Sequence, residues 1–240
     1  MASKAEMNST RTFPAKTNNP ILDERGLSLI EVLIAITLVA VITAVAVNGT
    51  VFNDREDLEE SIFEIDRALR YATNEAIMRN SIVRMRVNLD AEPVEYVIEY
   101  GQSSQMVLPE MVDTEKLSIE DREREAEKQN KLDSKFSNTT YFEDGPRKFR
   151  DNVGFYGVGT SYLDDIIITG NVSIYFYPSG EKDSAILFLY TQDELVSLKV
   201  PPFEEKLYDD YYVFNQSEAD FIEDTLETKS KEIFQQWLKE

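Results

Sequence analysis

A chain of 240 residues has room for one medium domain and an anchor, and this one carries a formal net charge of −20 with a pI near 4.4. Such acidity argues against binding phosphate backbones, which takes Lys and Arg to displace counterions. With no Cys and no His, the chain lacks disulfides, thiolates, the commonest general base and the commonest transition-metal ligand, so hydrolytic triads and zinc sites of the usual kinds are excluded.

Residues 1–26 read as a polar leader, with Lys4, Arg11, Lys16 and Arg25 against Glu6, Asp23 and Glu24, and with Met7 as an alternative start. The leader runs into Glu24-Arg25-Gly26-Leu27-Ser28-Leu29-Ile30-Glu31. From Leu27 to Val47, 17 of 21 residues are apolar, the exceptions being Ser28, Glu31, Thr37 and Thr43. At about 1.5 Å per residue such a helix is roughly 30 Å long, one hydrocarbon thickness, so residues 27–52 are expected to form a transmembrane helix and its exit. Glu31 is the anomaly. An ionisable group in a span costs about 2.5–3.5 kcal/mol on insertion scales and usually has a partner and a purpose. The order of segments is not that of a secretory signal, whose small-residue cleavage site follows its apolar core; here Gly26 precedes the core. The stretch after the run, Asn53-Asp54-Arg55-Glu56-Asp57-Leu58-Glu59-Glu60, is strongly acidic, which places the basic leader in the cytoplasm and the bulk of the chain outside.

Asn48-Gly49-Thr50 lowers helix propensity where the membrane should end. Beyond it Leu58, Ile62, Ile65, Leu69, Ala72 and Ala76 recur at helical spacing, and no Pro lies between Pro20 and Pro93. One helix from Leu27 to about Arg79 is therefore expected, with residues 53–80 forming an amphipathic second half that packs one face on a domain.

Ser81–Leu89 alternates Val83, Met85, Val87 and Leu89 against Arg84, Arg86 and Asn88, the pattern of a half-buried strand. Val94–Tyr100 alternates again, with Glu95 and Glu99 expected on the wet face. The tract from Asp113 to Lys135 holds eight acidic and six basic side chains in 23 positions and contributes little core. Residues 110–150 thus read as a solvated, charged insertion in a β-rich domain spanning 81–216, with Ser118 able to cap a short exposed helix; partner docking is the alternative use. Gly154, Gly157 and Gly159 mark a bent strand or turn, not a dinucleotide fingerprint. Short strands follow at about Ile166–Thr169, Val172–Tyr177, Ala185–Thr191 and Leu195–Val200. Turns at Pro178-Ser179-Gly180 and Gln192-Asp193 point to antiparallel hairpins, and Pro201-Pro202 is expected to end the sheet. Residues 208–214 mix aromatics with acids. Residues 217–240 read as a terminal helix capped by Ser217, with Ile222, Leu226, Ile233, Phe234, Trp237 and Leu238 either docked on the domain or offering Trp237 to a partner.

The stretch Gly26-Leu27-Ser28-Leu29-Ile30-Glu31 ahead of its apolar run resembles the prepilin motif of type IV pilins and type II secretion pseudopilins. A plain single-span anchor with an incidental carboxylate is the simpler alternative. The resemblance implies that a prepilin peptidase cuts between Gly26 and Leu27 and methylates the new amine of Leu27, although Leu27 stands where Phe is usual. It implies that Glu31, the match to the glutamate at mature position five, serves assembly. A neighbouring subunit's N-terminal ammonium would neutralise it, since opposite charges attract strongly where the dielectric is low.

Leu69-Arg70-Tyr71-Ala72-Thr73-Asn74-Glu75-Ala76-Ile77-Met78-Arg79-Asn80, followed by Val83-Arg84-Met85-Arg86-Val87, resembles the helix-to-strand junction of the GspH/FimT family, and Phe176-Tyr177-Pro178-Ser179-Gly180 is similar to that family's later turn. The resemblance implies an α+β, type IV pilin-like fold, in which a long N-terminal helix packs on an antiparallel β-sheet domain. It implies an H-type minor pseudopilin, a structural subunit of the periplasmic pseudopilus of a type II secretion system; the alternative is a minor pilin of a type IV pilus, serving priming, twitching or DNA uptake. The implied partners are other pseudopilins or minor pilins, prepilin peptidase and inner-membrane lipid, with no nucleic acid. The implied location is the bacterial inner membrane, single-pass, N-terminus cytoplasmic and C-terminal domain periplasmic. No catalytic residue, cofactor or metal is expected. Calcium at Asp164-Asp165 or Asp209-Asp210 is conceivable, because oxygen ligands suffice, but turn or surface roles account for those acids more simply.

Overall fold

The computed structural model describes residues 28–104, 118–140, 145–150 and 152–240, without the side chains of 44–53, 119, 122 and 125. The expected leader 1–26, and with it Gly26, lies outside the described residues, as does Leu27.

With no proline to interrupt it, the first helix, α1, runs from Leu29 to Arg79 and passes through Asn48, Gly49 and Thr50 without a break. It stops at Asn80, which takes a left-handed φ of 50°, while the Ser81 N–H donates back to the Ala76 carbonyl at 3.2 Å. Asn tolerates that conformation, and the bond satisfies a carbonyl orphaned by the helix end. The chain divides into two units, residues 1–46 and 47–240.

In the second unit the expected stripe of α1 is buried at Leu58, Ile65, Leu69, Ala72 and Ala76, with Ala68 and Ser61 beside them and Ile62 half-buried. Burying each of the larger aliphatic side chains contributes about 1.5–3 kcal/mol. The stripe meets two antiparallel sheets. The first holds β1 (Val83–Asn88), β2 (Glu95–Gly101), β3 (Phe136–Asn138), β4 (Arg147–Lys148) and β6 (Asn171–Phe176), ordered β3-β2-β1-β6 with β4 also on β2. The second holds β5 (Gly154–Thr160), β7 (Ala185–Tyr190), β8 (Glu194–Val200) and β9 (Tyr208–Val213), ordered β5-β7-β8-β9. Met85, Ile98 and Ile174 of the first sheet share one core with Leu187, Val196 and Leu198 of the second and with the α1 stripe. The expected α+β class is borne out: a long N-terminal helix packs on antiparallel sheets.

The far face of the second sheet carries α4 (Ile222–Trp237), whose Leu226 and Phe234 pack with Ile186, Phe188 and Leu195. Gly159 permits that approach, because a Cβ there would overlap the Phe234 ring.

Several sequence expectations need correction. Glu99 is not on a wet face; it is buried, and so is Arg84 opposite it on β1. The region 110–150 is not simply solvated, because β3 and β4 extend the first sheet and Phe149 enters the core. Ser118 does cap its helix, α2 (Ile119–Asp133), accepting from the Asp121 N–H at 3.2 Å. Ile166–Thr169 forms no strand and makes one bridge, between Ile167 and Val158. The Pro178-Ser179-Gly180 turn does not join a pair of hairpin strands. Gly180 takes φ 86°, a left-handed value that suits glycine, and the turn sends the chain from the first sheet to the second. Pro201-Pro202 ends β8 but not the sheet, to which residues 208–213 return as β9. The terminal cap is Asn215, not Ser217. Its side chain accepts from the Glu218 N–H while Glu218 accepts from the Asn215 N–H, and a short α3 (Gln216–Asp220) precedes a break at Phe221.

Candidate functional site

The head of α1 begins at Ser28. Its carbonyl accepts from the N–H groups of Glu31 and Val32 at 2.9 and 3.1 Å, and its hydroxyl accepts from the Ile30 N–H at 3.2 Å. Glu31 therefore sits in the first turn, where a negative charge offsets the positive end of the helix dipole. Its carboxylate is exposed and has no cation partner among the described residues.

Around Glu31 the helix is apolar on every side. Leu29, Ile30, Leu33, Ile34, Ile36, Leu38, Val39, Val41 and Ile42 are all exposed. The only other polar side chains of this stretch, Thr37 and Thr43, turn inward: their hydroxyls donate to the Leu33 and Val39 carbonyls, each at 2.8 Å. A hydroxyl bonded to its own helix asks nothing of the surroundings. A helix apolar all round needs cover from lipid or from other helices. Among the described residues no helix is long and apolar enough to cross a membrane; the described side chains of this run end at Thr43, and the sequence carries it on to Val47.

In the second unit the buried charges form a compact network. Arg84, only 2% exposed, donates from Nε to Glu99 at 2.7 Å and from its guanidinium to Asp133 at 2.6 Å. Arg86 donates to both oxygens of Glu99 at 3.2 and 2.9 Å, and the Phe136 ring lies 4.0 Å under the Arg84 guanidinium. Residues from the region 110–150 thus close over the outer face of the first sheet. The network is internally satisfied, a mark of a structural element rather than of a site awaiting a ligand.

A second cluster centres on Asp183, which accepts from the Tyr162 and Tyr177 hydroxyls at 2.8 and 3.0 Å and from the Tyr175 N–H at 2.9 Å. Burial, reinforced by the Asp183 charge, pushes both tyrosine hydroxyls above their ordinary range. Glu194, buried beside Arg55 at 2.9 Å, is pushed up by burial more than Arg55 pulls it down.

Asp164 and Asp165 are exposed, and Asp165 accepts from the Ile166 N–H. Asp209 and Asp210 stand on β9, with Asp210 3.3 Å from Lys199. Among the described residues no group of three or more acidic side chains is placed to hold a metal ion. Trp237 stacks on Phe234, ring centroids 5.8 Å apart, which places it in the docked face of α4.

A family model for the prokaryotic N-terminal methylation motif matches residues 22–47, a segment that takes in Gly26, Leu27 and Glu31. The match supports the pilin and pseudopilin class, whose members are structural subunits. No curated protein and no solved structure matches the chain.

Proposed function

We propose that the chain is a type IV pilin-like assembly subunit, and within that class an H-type minor pseudopilin of a type II secretion system. The observation that carries the reading is the methylation-motif match over 22–47, which takes in the apolar first part of α1, where Glu31 is the one carboxylate and has no cation partner among the described residues. On this reading prepilin peptidase cuts between Gly26 and Leu27 and methylates Leu27. Residues 27–47 hold the chain in the inner membrane, with the leader cytoplasmic and the sheet domain periplasmic. Glu31 receives the N-terminal ammonium of a neighbouring subunit and sets the register of the two helices.

Physical chemistry favours that pairing. Thr37 and Thr43 satisfy their own hydroxyls, so Glu31 is the one group of the described apolar run that requires a partner when lipid or helices cover it. The H-type branch draws support from the turn at Asn80, where α1 gives way to β1 as in the junction the sequence resembles.

Gly26→Val should leave full-length precursor inserted in the membrane, whereas intact-mass measurement of the wild type should give a start at methylated Leu27. A mature start anywhere else would overturn the motif. Glu31→Leu should be inserted and processed normally yet incorporate poorly. Stranding the neighbour's ammonium costs about 3–5 kcal/mol, a loss of a hundredfold or more in association. Normal co-purification with other pseudopilins and normal secretion would remove the assembly role. Deleting the protein should abolish exoprotein secretion. Loss of twitching and transformation instead, or low-micromolar duplex DNA binding with a steep salt dependence, would assign it to a type IV pilus.

A further inference from the structure

The two sheets have four edges, and three of them are closed. The outer edge of β5 is taken by Ile167, which exchanges both backbone hydrogen bonds with Val158 at 2.9 and 3.0 Å, and β5 also bulges between Phe155 and Gly157. The outer edge of β6 is filled by residues 181–183: the Tyr175 N–H donates to the Asp183 carboxylate, the Tyr175 carbonyl accepts from the Asp183 N–H, and the Tyr177 N–H donates to Glu181. At the far side of the first sheet, β3 has three residues and β4 two, too short to template another strand.

The fourth edge, β9, is different. The Phe214 N–H donates to the Asp193 carbonyl and the Thr191 N–H to the Glu194 carbonyl. With the register of β9 on β8 and of β8 on β7, these bonds turn the backbones of Tyr208, Asp210 and Tyr212 toward β8. Asp209, Tyr211 and Val213 therefore aim three N–H and three C=O groups away from the sheet, and no described residue meets them. The strand has six residues in unbroken register and carries neither Pro, bulge nor Lys; its only charges are the acidic Asp209 and Asp210.

Its surroundings are acidic and aromatic. Asp209 and Asp210 lie on the strand, Glu204 accepts from the Tyr208 hydroxyl, Glu218 from the Tyr212 hydroxyl, and Glu59 is close enough to Tyr211 to act on its hydroxyl. Of the nearby cations, Arg55 is engaged with Glu194, Glu59 and the Tyr211 ring, Lys199 with Asp210 and Glu240, and Lys229 with Glu232 and the Tyr212 ring. The geometry points to β9 as a strand-addition site for an extended, Lys- or Arg-bearing segment of a partner polypeptide. Such a segment takes its affinity from the open backbone groups and its selection from the carboxylates. A second copy of this chain is disfavoured, since pairing β9 with itself would bring the two acidic groups of each strand, Asp209 and Asp210, together along one seam. The inference is independent of the N-terminal motif and stands or falls without it.

The test uses the full chain in detergent with a labelled Lys-Val-Lys-Thr-Lys-Val-Lys-Thr-Lys peptide and its Glu-for-Lys counterpart. The Lys peptide should bind, more weakly as salt rises, and should slow amide hydrogen exchange at Asp209, Tyr211 and Val213. Tyr211→Pro removes one outward donor and leaves the β8 ladder intact, so affinity should fall at least tenfold. Methylating alternate backbone nitrogens of the peptide should do the same without touching the protein. Asp209→Lys should weaken binding and flatten its salt dependence. The proposal is overturned by no binding at millimolar peptide, by equal binding of the Glu peptide, or by binding that leaves those three amides unprotected. It is also overturned by self-association that protects them, which would give the edge to a second copy.

Discussion

Replacing Glu99 by Leu tests whether the region 110–150 is fastened to the domain or only tethered to it. Glu99 accepts three hydrogen bonds, one from Arg84 and two from Arg86. Arg86 is 31% exposed in its side chain and can turn to water, but Arg84 is 2% exposed and cannot. An arginine does not shed its charge when stranded. Breaking one buried pair by removing a partner costs about 3–5 kcal/mol, and the surviving bond from Arg84 to Asp133 at 2.6 Å places this variant at the lower end, about 3 kcal/mol. With a urea slope near 2 kcal/mol/M, the midpoint should fall by about 1.5 M. The assay is urea unfolding of the full chain at fixed detergent, followed by the fluorescence of Trp237, the only tryptophan. Arg84→Met combined with Glu99→Leu removes both buried charges and should recover to within about 1 kcal/mol of wild type. A midpoint shift below about 0.3 M for the single variant, or no recovery in the double, would refute the reasoning.

Gly159→Ala forces a methyl into the Phe234 ring, so it should cost about 1–3 kcal/mol and change the emission of Trp237, which stacks on that ring; unchanged emission and stability would contradict the tight α4 contact. Alkali should destabilise the domain through its tyrosines. Tyr162 and Tyr177 are raised by burial beside Asp183, and Tyr211 is pushed up to about 12 by burial and Asp209. Groups raised in the folded state hold their full contribution below the ordinary tyrosine value of about 10 and lose it as pH climbs through the folded values. Stability should therefore decline from about pH 10 upward, less steeply in Tyr162→Phe/Tyr177→Phe; an unaltered slope would refute the assignment.

The α1 stripe was legible because its periodicity and its burial are both local to one helix; Leu58, Ile65, Leu69, Ala72 and Ala76 needed no knowledge of what covers them. Arg84 and Glu99 were not legible. Alternation along β1 and β2 separates two faces but does not say whether the second is covered, and the cover comes from Asp133 and Phe136, 49 and 52 positions after Arg84. The turn at Pro178-Ser179-Gly180 was readable as a turn, but turn chemistry does not tell a hairpin from a passage between sheets. β9 went unread because its side chains are mostly exposed, which leaves no inward face to set a period of two. Of the candidate site, the motif and the carboxylate at Glu31 could be named from residue order alone; the inward bonding of Thr37 and Thr43 required coordinates.

The order in which the chain visits its sheets bears on how the protein matures. β1 to β4 build the first sheet, β5 starts the second, β6 returns to finish the first, and β7 to β9 finish the second. Neither sheet can be completed until the segments of the other have been threaded past it, and the apolar stripe of α1 contacts both. A nascent chain leaving the ribosome at residue 180 would hold the whole stripe and the first sheet, but of the second sheet only β5. Long-range pairing of this kind folds slowly and exposes apolar surface while it waits. The part of the Leu58–Ala76 stripe that β7 and β8 cover is thus open to any chaperone or neighbouring helix until β8 has been made. Release of the C-terminal third, rather than of the helix, is then the event that commits the domain to its final form.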